Sequence, residues 1–323
     1  MTGLAESDRA VALNEAGSCL RALGRLAEAA QPMQAGLEAH VAQDEWENAA
    51  RAAGNLSELH LTIGDLAQAL RDARRSVDLA DRSGDAFMRM YNRTTLADGL
   101  HQAGRLDEAE EIFREAEAMH EKNQPQFPLL YSPQGHRYCD LLLGQGKVSE
   151  VLRRAEQTLE WMTSDPNVPV LTVALENLSL GRAHLLLAQR EGTDDPSASD
   201  VPSALRAGLT QAATHLNRAV DGLRQAGTQH HIPRGLLARA ALHRVQDQFA
   251  RAQRDLEEAL TIATRGGMRL HEADCYLESA RLHLARGEEE EARGSLSKAR
   301  GIVEEMGYHR RDGEVAELEE DLE

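Results

Sequence analysis

RALGRLAEA at residues 21–29 is followed along the chain by LTIGDLAQA at 61–69, HQAGRLDEA at 101–109, LGQGKVSEV at 143–151 and LARGEEEEA at 284–292. These stretches align on one glycine, and the first four copies lie 40 or 42 residues apart. HRVQDQFARA at 243–252 fits the same frame, with Asp247 in the position of the glycine. A fixed period of this length is the signature of a repeat architecture, so the sequence predicts an array of similar units.

The residues around the aligned glycine predict that each unit is a pair of closely packed helices. Small residues occupy three positions in nearly every copy, one before the glycine and two after it. Small side chains let two antiparallel helices approach to the short end of the usual range of about 8–10 Å. The glycine ends the first helix, because it adopts the left-handed conformation without steric cost. An apolar residue two positions later begins the second helix, as at Leu26, Leu66, Leu106, Val148 and Phe249.

The composition favours a helical protein and disfavours several other classes. The 323 residues are 41% apolar but only 3% aromatic, which disfavours a β-sandwich or a β-barrel. We expect no membrane span, since no run approaches about 18 apolar residues, and no secretory signal at the N-terminus. The formal net charge of −17 disfavours nucleic-acid binding. Cys19, Cys139 and Cys275 are expected to be reduced, which predicts a cytoplasmic protein.

The helix–turn–helix unit, with its small residues flanking a Gly-x-Leu-x-x-Ala core, resembles the tetratricopeptide repeat (TPR) over roughly residues 8–307. The usual period of that family is about 34 residues. A period of 40 to 42 residues therefore implies helices about one turn longer. The resemblance implies an all-α fold, namely a right-handed α-solenoid of seven helix pairs with a C-terminal capping helix.

The predicted repeats form one domain that spans the chain. Their approximate boundaries are 8–43, 44–84, 85–123, 126–164, 168–227, 229–266 and 268–307, followed by a cap at 311–323. The fifth repeat is about twenty residues too long, and the polar stretch 190–208 predicts an inserted loop within it. Pro125, Pro128 and Pro133 predict an irregular entry to the fourth repeat.

The last part of the chain carries a second resemblance. Residues 262–323, which end in GYHRRDGEVAELEEDLE, are similar to the C-terminal repeats of bacterial signal-transduction NTPases of the STAND/NACHT type. That resemblance implies a region that senses a ligand or recruits a partner. The sequence contains no G-x-x-x-x-G-K-[ST] loop for binding nucleotide phosphates, so it predicts no NTPase on this chain.

The first helix of each unit is expected to line a concave groove, the extended surface that repeat arrays use for binding. In this projection the groove is polar, with carboxylates toward the N-terminal half and arginines toward the C-terminal half. Three of the arginines come from successive repeats and are predicted to bind a carboxylate-bearing or acidic segment through bidentate hydrogen bonds. The candidate binding residues are Asn14, Glu58, Tyr91, Asp98, His101, Arg137, Asp140, Asn177, Arg182, Arg234 and Arg281.

The histidine and cysteine pairs do not predict a metal site. His230 and His231 are adjacent, so on a helix they point about 100° apart, and we interpret them as part of a solvated turn. His271 and Cys275 share a helix face, but structural zinc takes four ligands and the sequence offers no second pair at suitable spacing. The sequence therefore predicts no metal, cofactor or catalytic constellation.

These observations favour a non-enzymatic scaffold or sensor that binds a protein or peptide segment in its groove. The alternative is an allosteric regulatory domain that senses a small ligand or a short signalling peptide. Such a domain would control a partner enzyme or an NTPase on another chain. The sequence makes no prediction of the oligomeric state.

Overall fold

A computed structural model of the chain describes residues 6–164, 167–194 and 201–323. Within those ranges the chain forms helices joined by short turns, and no strand occurs in them. The α-helices are α1 (Glu6–Ala22), α2 (Leu26–Ala42), α3 (Trp46–Ile63), α4 (Leu66–Ser83), α5 (Ala86–Gln102), α6 (Leu106–Asn123), α7 (Ser132–Gly144), α8 (Val148–Thr163), α9 (Val170–Asp194), α10 (Val201–Ala226), α11 (Ile232–Val245), α12 (Phe249–Gly266), α13 (Arg269–Ala285), α14 (Glu289–Met306) and α15 (Asp312–Asp321). One turn of 3₁₀ helix, His309–Arg311, precedes α15.

Helices that follow one another along the chain pack side by side, in pairs that match the period of the sequence. α1 packs on α2, α3 on α4, and so on to α13 on α14, with α15 covering the last pair. Val315 and Leu318 of α15 are buried in the apolar core of that end. The prediction of an all-α solenoid is confirmed.

The small residues lie where paired helices touch. Ala29, Ala69 and Ala109 have no exposed surface. A Cβ atom added to Gly181 of α9 would lie 2.6 Å from Cγ of Leu216 on α10, closer than two carbon atoms can pack. The helix backbones therefore approach too closely for a larger side chain at this position.

Two columns of left-handed residues end the helices. The aligned glycines between paired helices have positive φ angles, as Gly64 does at 105°. Asp247 takes the same conformation with φ 56°, as its place in the alignment predicts. A second column, not recognised from the sequence, ends the second helices at Asp44, Gly84, Gly227, Gly267 and Gly307. The chain reverses direction once between the two helices of each unit and once after the second helix. Each column of left-handed residues therefore repeats about every 40 residues.

Successive turns of the superhelix touch each other at the first three aligned glycines. A Cβ atom on Gly24, Gly64 or Gly104 would lie 2.9–3.4 Å from Cβ of the residue 205 positions later: Gln229, Arg269 and His309, respectively. At the first of these contacts the backbone N–H of Gln229 donates to the carbonyl of Ala22 over 2.9 Å. The solenoid therefore closes onto itself after about five repeats.

The extra residues of the fifth repeat lengthen its helices. α9 has 25 residues and α10 has 26, so the predicted loop over 190–208 is wrong for 190–194 and 201–208. The remaining part of that prediction, 195–200, lies outside the described residues. Pro202 stands in the first turn of α10, where its missing N–H costs no helical hydrogen bond. The Ala and Leu residues that follow favour a helix.

Helix α9 is also the one described helix that is long and apolar enough to cross a membrane by length and composition. The stretch is Val170–Arg190, and 61% of its most apolar window is buried inside the protein. It packs against α8 and α10 and contributes Leu175 and Leu178 to the apolar core. Its apolar character is accounted for by these neighbouring helices.

The segment between α6 and α7 is irregular, as the prolines predict. Residues 124–131 lie outside any helix, and α7 is shortened to 13 residues. Ser132 begins α7 with a φ of 61°.

We expect Gly104→Ala to destabilise the fold more than Gly287→Ala. Both glycines have a φ of 75°, so alanine costs about 1–2 kcal/mol of left-handed strain at either position. Only at Gly104 would the new Cβ also meet the next superhelical turn, 2.9 Å from Cβ of His309, whereas Gly287 has open space around it. Urea unfolding of the two variants measures the difference. Equal losses would show that the contact between turns contributes nothing to stability.

Candidate functional site

The interior of the superhelix contains a cavity of about 700 Å³ that is open to solvent. Side chains from α3, α5, α7, α9, α11, α13 and the C-terminal segment line it. A second cavity of about 30 Å³ lies beside it toward the N-terminal half. Both cavities are lined by Leu61, Thr62, His136, His230 and Arg234. The inner faces of helices far apart in sequence therefore meet around one polar interior.

The wall of the smaller cavity is held together by the carboxylate of Glu58. This carboxylate accepts hydrogen bonds from Arg21 and Arg137, each over 2.5 Å, and from the hydroxyl of Tyr91 over 2.9 Å. Although burial opposes ionisation, the two guanidiniums hold the pKa of Glu58 far below its usual range. Arg137 also lies 3.5 Å from the carboxylate of Asp98. One buried anion thus ties together α1, α3, α5 and α7.

Asp140 is the corresponding centre in the larger cavity. Its carboxylate accepts hydrogen bonds from Arg182 over 2.6 Å and from both terminal nitrogens of Arg310 over 2.6 and 2.9 Å. Arg310 also donates to Gln102 over 3.0 Å. Despite the burial, these arginines hold the pKa of Asp140 well below its usual range. The C-terminal segment is therefore fixed to α5 and α7, which lie one superhelical turn earlier.

A third group of ion pairs lines the opposite side of the cavity. Arg311 donates to Asp274 over 2.8 Å and also pairs with Glu314. Glu314 pairs with Arg281 as well, and these arginines lower its pKa to about 2 in spite of its burial. These contacts attach α15 to α13, so the cap contributes to the cavity wall as well as to the apolar core.

Arg234 differs from the other arginines that line the larger cavity. Within the described residues, no carboxylate forms an ion pair or a hydrogen bond with its guanidinium group. Beside it, the Nδ1 atoms of His230 and His231 are buried and have no hydrogen-bond partner. Burial, together with the positive charges of Arg21 and Arg234, lowers the pKa of both histidines well below the usual value. Both imidazoles are therefore neutral near pH 7.

The structure brings most of the predicted binding residues to the interior. The larger cavity is lined by His101, Asp140, Arg182, Arg234 and Arg281. The smaller cavity is lined by Glu58, Asp98 and Arg137, and Tyr91 contacts it through Glu58. The three arginines from successive repeats do share one cavity, but Asp140 neutralises Arg182 and Glu314 neutralises Arg281.

Three predicted residues line neither cavity: Tyr91, which donates to Glu58 in the wall of the smaller one, and Asn14 and Asn177. Asn14 is buried and accepts a hydrogen bond from Asn55 over 3.3 Å. Asn177 is buried between α9 and α10, where its Oδ1 atom accepts a hydrogen bond from Nδ1 of His215 over 2.9 Å. Asn177 also donates to the carbonyl of Val173 over 2.8 Å. The repeat frame places these residues on a first helix, but it does not fix the rotation of that helix about its axis.

The residues that precede the first helices of the last repeats were not predicted to belong to a binding site. His230 and His231 were interpreted as a solvated turn, and this was wrong because the turn faces the cavity. Arg310 and Arg311 lie at the edge of the predicted cap, and the sequence predicted no binding role for either of them. The repeat period could have identified these residues, because His231, His271 and Arg311 occupy the same position in three successive repeats of 40 residues. Among the described residues, no three side chains of His, Cys, Asp or Glu lie together in a way that could hold a metal ion.

Comparison with known proteins identifies the fold alone. The sequence matches no family model and no curated protein. Among solved structures, the chain is similar to a Rap protein complexed with competence and sporulation factor, with a TM-score of 0.51. The two share 9% sequence identity, and the alignment covers 98% of this chain and 97% of that chain. The described residues thus have a TPR-like helical repeat fold.

We expect Glu58→Gln to destabilise the protein by about 3 kcal/mol or more at pH 7, because it leaves two buried guanidiniums without their carboxylate. The folded-state pKa of Glu58 is lowered, so its contribution is present above its ordinary pKa of 4.5 and is lost as the pH falls. The difference in unfolding free energy between wild type and Glu58→Gln should therefore decrease below about pH 4.5. Chemical denaturation between pH 3 and 8 measures it.

Glu28→Gln is the matched control for this prediction, since Glu28 pairs with Arg25 on the exposed surface. Its effect should be small at every pH. A loss no larger for Glu58→Gln than for Glu28→Gln would contradict the assignment of Glu58 as the centre that joins four helices.

Proposed function

We propose that this protein is a non-enzymatic binding module that holds a short peptide or an extended protein segment inside its superhelix. The observation that carries the proposal is the cavity of about 700 Å³ in the interior. Ligand pockets in proteins usually enclose about 300–1,000 Å³. A folded partner domain is too large for such a space, whereas a few residues of extended chain fit.

The lining of the cavity suits a peptide. Leucines such as Leu141, Leu185 and Leu277 provide apolar surface for side chains. Between them stand histidines and arginines that can hydrogen-bond to a peptide backbone or to its polar groups. Because the wall is built from six helices and the C-terminal segment, binding energy would be distributed over many repeats.

The state of the ionisable groups supports binding rather than catalysis. Arginines lower the pKa of Asp140 and of Glu314 and hold both in their charged form, so these two groups are poor proton donors or acceptors near pH 7. Burial raises the pKa of the Cys139 and Cys275 thiols far above neutrality, so neither provides a thiolate nucleophile. All three cysteines are unpaired, which fits the proposal of a reducing, cytoplasmic compartment.

The structural comparison supports the proposal by analogy of fold. The similar Rap protein was solved in complex with competence and sporulation factor, so a chain of this architecture can hold a separate signalling factor. More specifically, we propose that the binding module acts as a sensor in signal transduction. The sequence predicted an acidic partner from three arginines. Of these, Arg234 is the one that no carboxylate neutralises within the described residues, so the prediction of an acidic partner depends on it.

The second candidate is an allosteric regulator whose superhelix changes shape when a ligand binds. The ion pair between Arg310 and Asp140 supports it, because this pair joins two superhelical turns and lies in the cavity wall. A ligand that displaced Arg310 would release the C-terminal segment and alter a surface available to a partner enzyme. The resemblance of residues 262–323 to NTPase-associated repeats adds an NTPase on another chain as a candidate partner.

We expect Ala238→Trp to abolish peptide binding, since Ala238 lines the cavity and an indole would project into the space that the peptide needs. Ala250→Trp is the matched control, because Ala250 is exposed on α12. The measurement mixes each protein with a pool of random synthetic hexapeptides, separates the complex by size-exclusion chromatography and identifies the retained peptides by mass spectrometry.

Wild type and Ala250→Trp should retain the same subset of peptides, and Ala238→Trp should retain none of it. Thermal unfolding of the three proteins controls for misfolding. The proposal fails if wild type retains no peptide, or if a folded Ala238→Trp variant retains the same subset as wild type.

A further inference from the structure

Six arginines line the larger cavity, and five of them are neutralised by a carboxylate of the protein. Arg182 and Arg310 pair with Asp140, Arg244 pairs with Glu278, Arg281 pairs with Glu314, and Arg311 pairs with Asp274. Arg234 is the exception among the described residues. It also lines the smaller cavity, so it lies where the two cavities adjoin.

The side chains around Arg234 leave its charge uncompensated. His136 is buried and its Nδ1 atom hydrogen-bonds to Ser179 over 2.9 Å, while burial and Arg234 lower its pKa to about 3. His230 and His231 are neutral for the same physical reasons. The adjoining cavity has two acids: Glu58 is already bound by Arg21 and Arg137, and Asp98 lies 3.5 Å from Arg137. A partly buried cation with neutral neighbours creates a locally positive potential, which favours an anion.

Two buried donors or acceptors beside Arg234 also require an explanation. The Nδ1 atoms of His230 and His231 have no partner in the described protein, although buried polar atoms in folded proteins are nearly always hydrogen-bonded. His230 lines both cavities and His231 lines the smaller one, so these rings leave hydrogen-bonding capacity beside the guanidinium group of Arg234 unused. His101, 2% exposed and lining the same cavity, has an unpartnered Nδ1 atom as well.

Helix α11 adds to the same potential. It has 14 residues and begins at Ile232, so Arg234 stands in its first turn. The positive end of the helix dipole and the guanidinium group therefore lie together at one place in the wall.

We propose that Arg234 binds a carboxylate of the peptide ligand, at a place in the wall bordered by His230 and His231. This assignment rests on the proposed function and specifies the chemistry of its ligand. A guanidinium group binds a carboxylate through two parallel N–H···O bonds, which fixes both position and orientation. The carboxylate can be the free C-terminus of the peptide or the side chain of Asp or Glu.

The test uses three pools of random synthetic hexapeptides. The first pool has free C-termini and contains no Asp or Glu, the second has amidated C-termini and contains Asp and Glu, and the third has amidated C-termini and neither acid. Each pool is applied to wild type, Arg234→Gln and Arg251→Gln. Arg251→Gln is the control because it removes an exposed guanidinium group on α12 that lines neither cavity.

We expect wild type to retain peptides from the first or the second pool and none from the third. Titration of a retained peptide should show binding about 10- to 100-fold weaker to Arg234→Gln, the usual effect of losing a charged hydrogen bond. Binding to Arg251→Gln should stay close to that of wild type. Retention from the first pool assigns the carboxylate to the C-terminus, and retention from the second pool assigns it to a side chain.

The outcomes separate this inference from the proposed function. Equal retention from all three pools, or equal affinity of wild type and Arg234→Gln, would overturn the carboxylate site while leaving peptide binding intact. Retention from none of the pools would overturn both. Because Arg234 forms no ion pair in the described protein, Arg234→Gln should unfold at nearly the wild-type temperature, which checks that it is folded.

Discussion

The contact between successive turns of the superhelix is the interaction on which the rest of the structure depends. It occurs at three glycines and at the residues 205 positions after each of them, and Arg310 reinforces it by pairing with Asp140. Without this contact the first helices would face an open groove. With it, helices from distant repeats enclose one interior, and the C-terminal segment forms part of the wall.

Closure explains the unusual number of buried charges in the interior. Polar residues that would be solvated in an open groove are brought together, and each buried carboxylate then needs cationic partners to remain ionised. Glu58 and Asp140 meet this requirement with two arginines each. Such networks are costly to desolvate and are weak evidence for stability. Their effect is to fix the positions of the helices, which leaves Arg234 as a cation available to a ligand.

The period of the sequence was sufficient to predict the helices, their pairing and the left-handed residues between paired helices, including Asp247. These features depend on local contacts that recur in each unit. The closure was not predicted, because the small rotation between neighbouring repeats accumulates over five units and is set by packing rather than by any motif. For this reason His230 and His231 were assigned to solvent and Arg182 was expected to be free. The loop prediction failed over 190–194 and 201–208 because it gave polar composition more weight than helix propensity.

The central claim is that residues one superhelical turn apart are in contact, and a double-mutant cycle on Arg310 and Asp140 tests it most directly. Urea unfolding of Arg310→Gln, Asp140→Asn and the double variant gives the coupling energy between the two side chains. The account predicts a coupling of about 1 kcal/mol or more, as expected for a buried ion pair in direct contact. Additivity within about 0.3 kcal/mol would show that the two turns do not meet in solution, and it would contradict the closed interior.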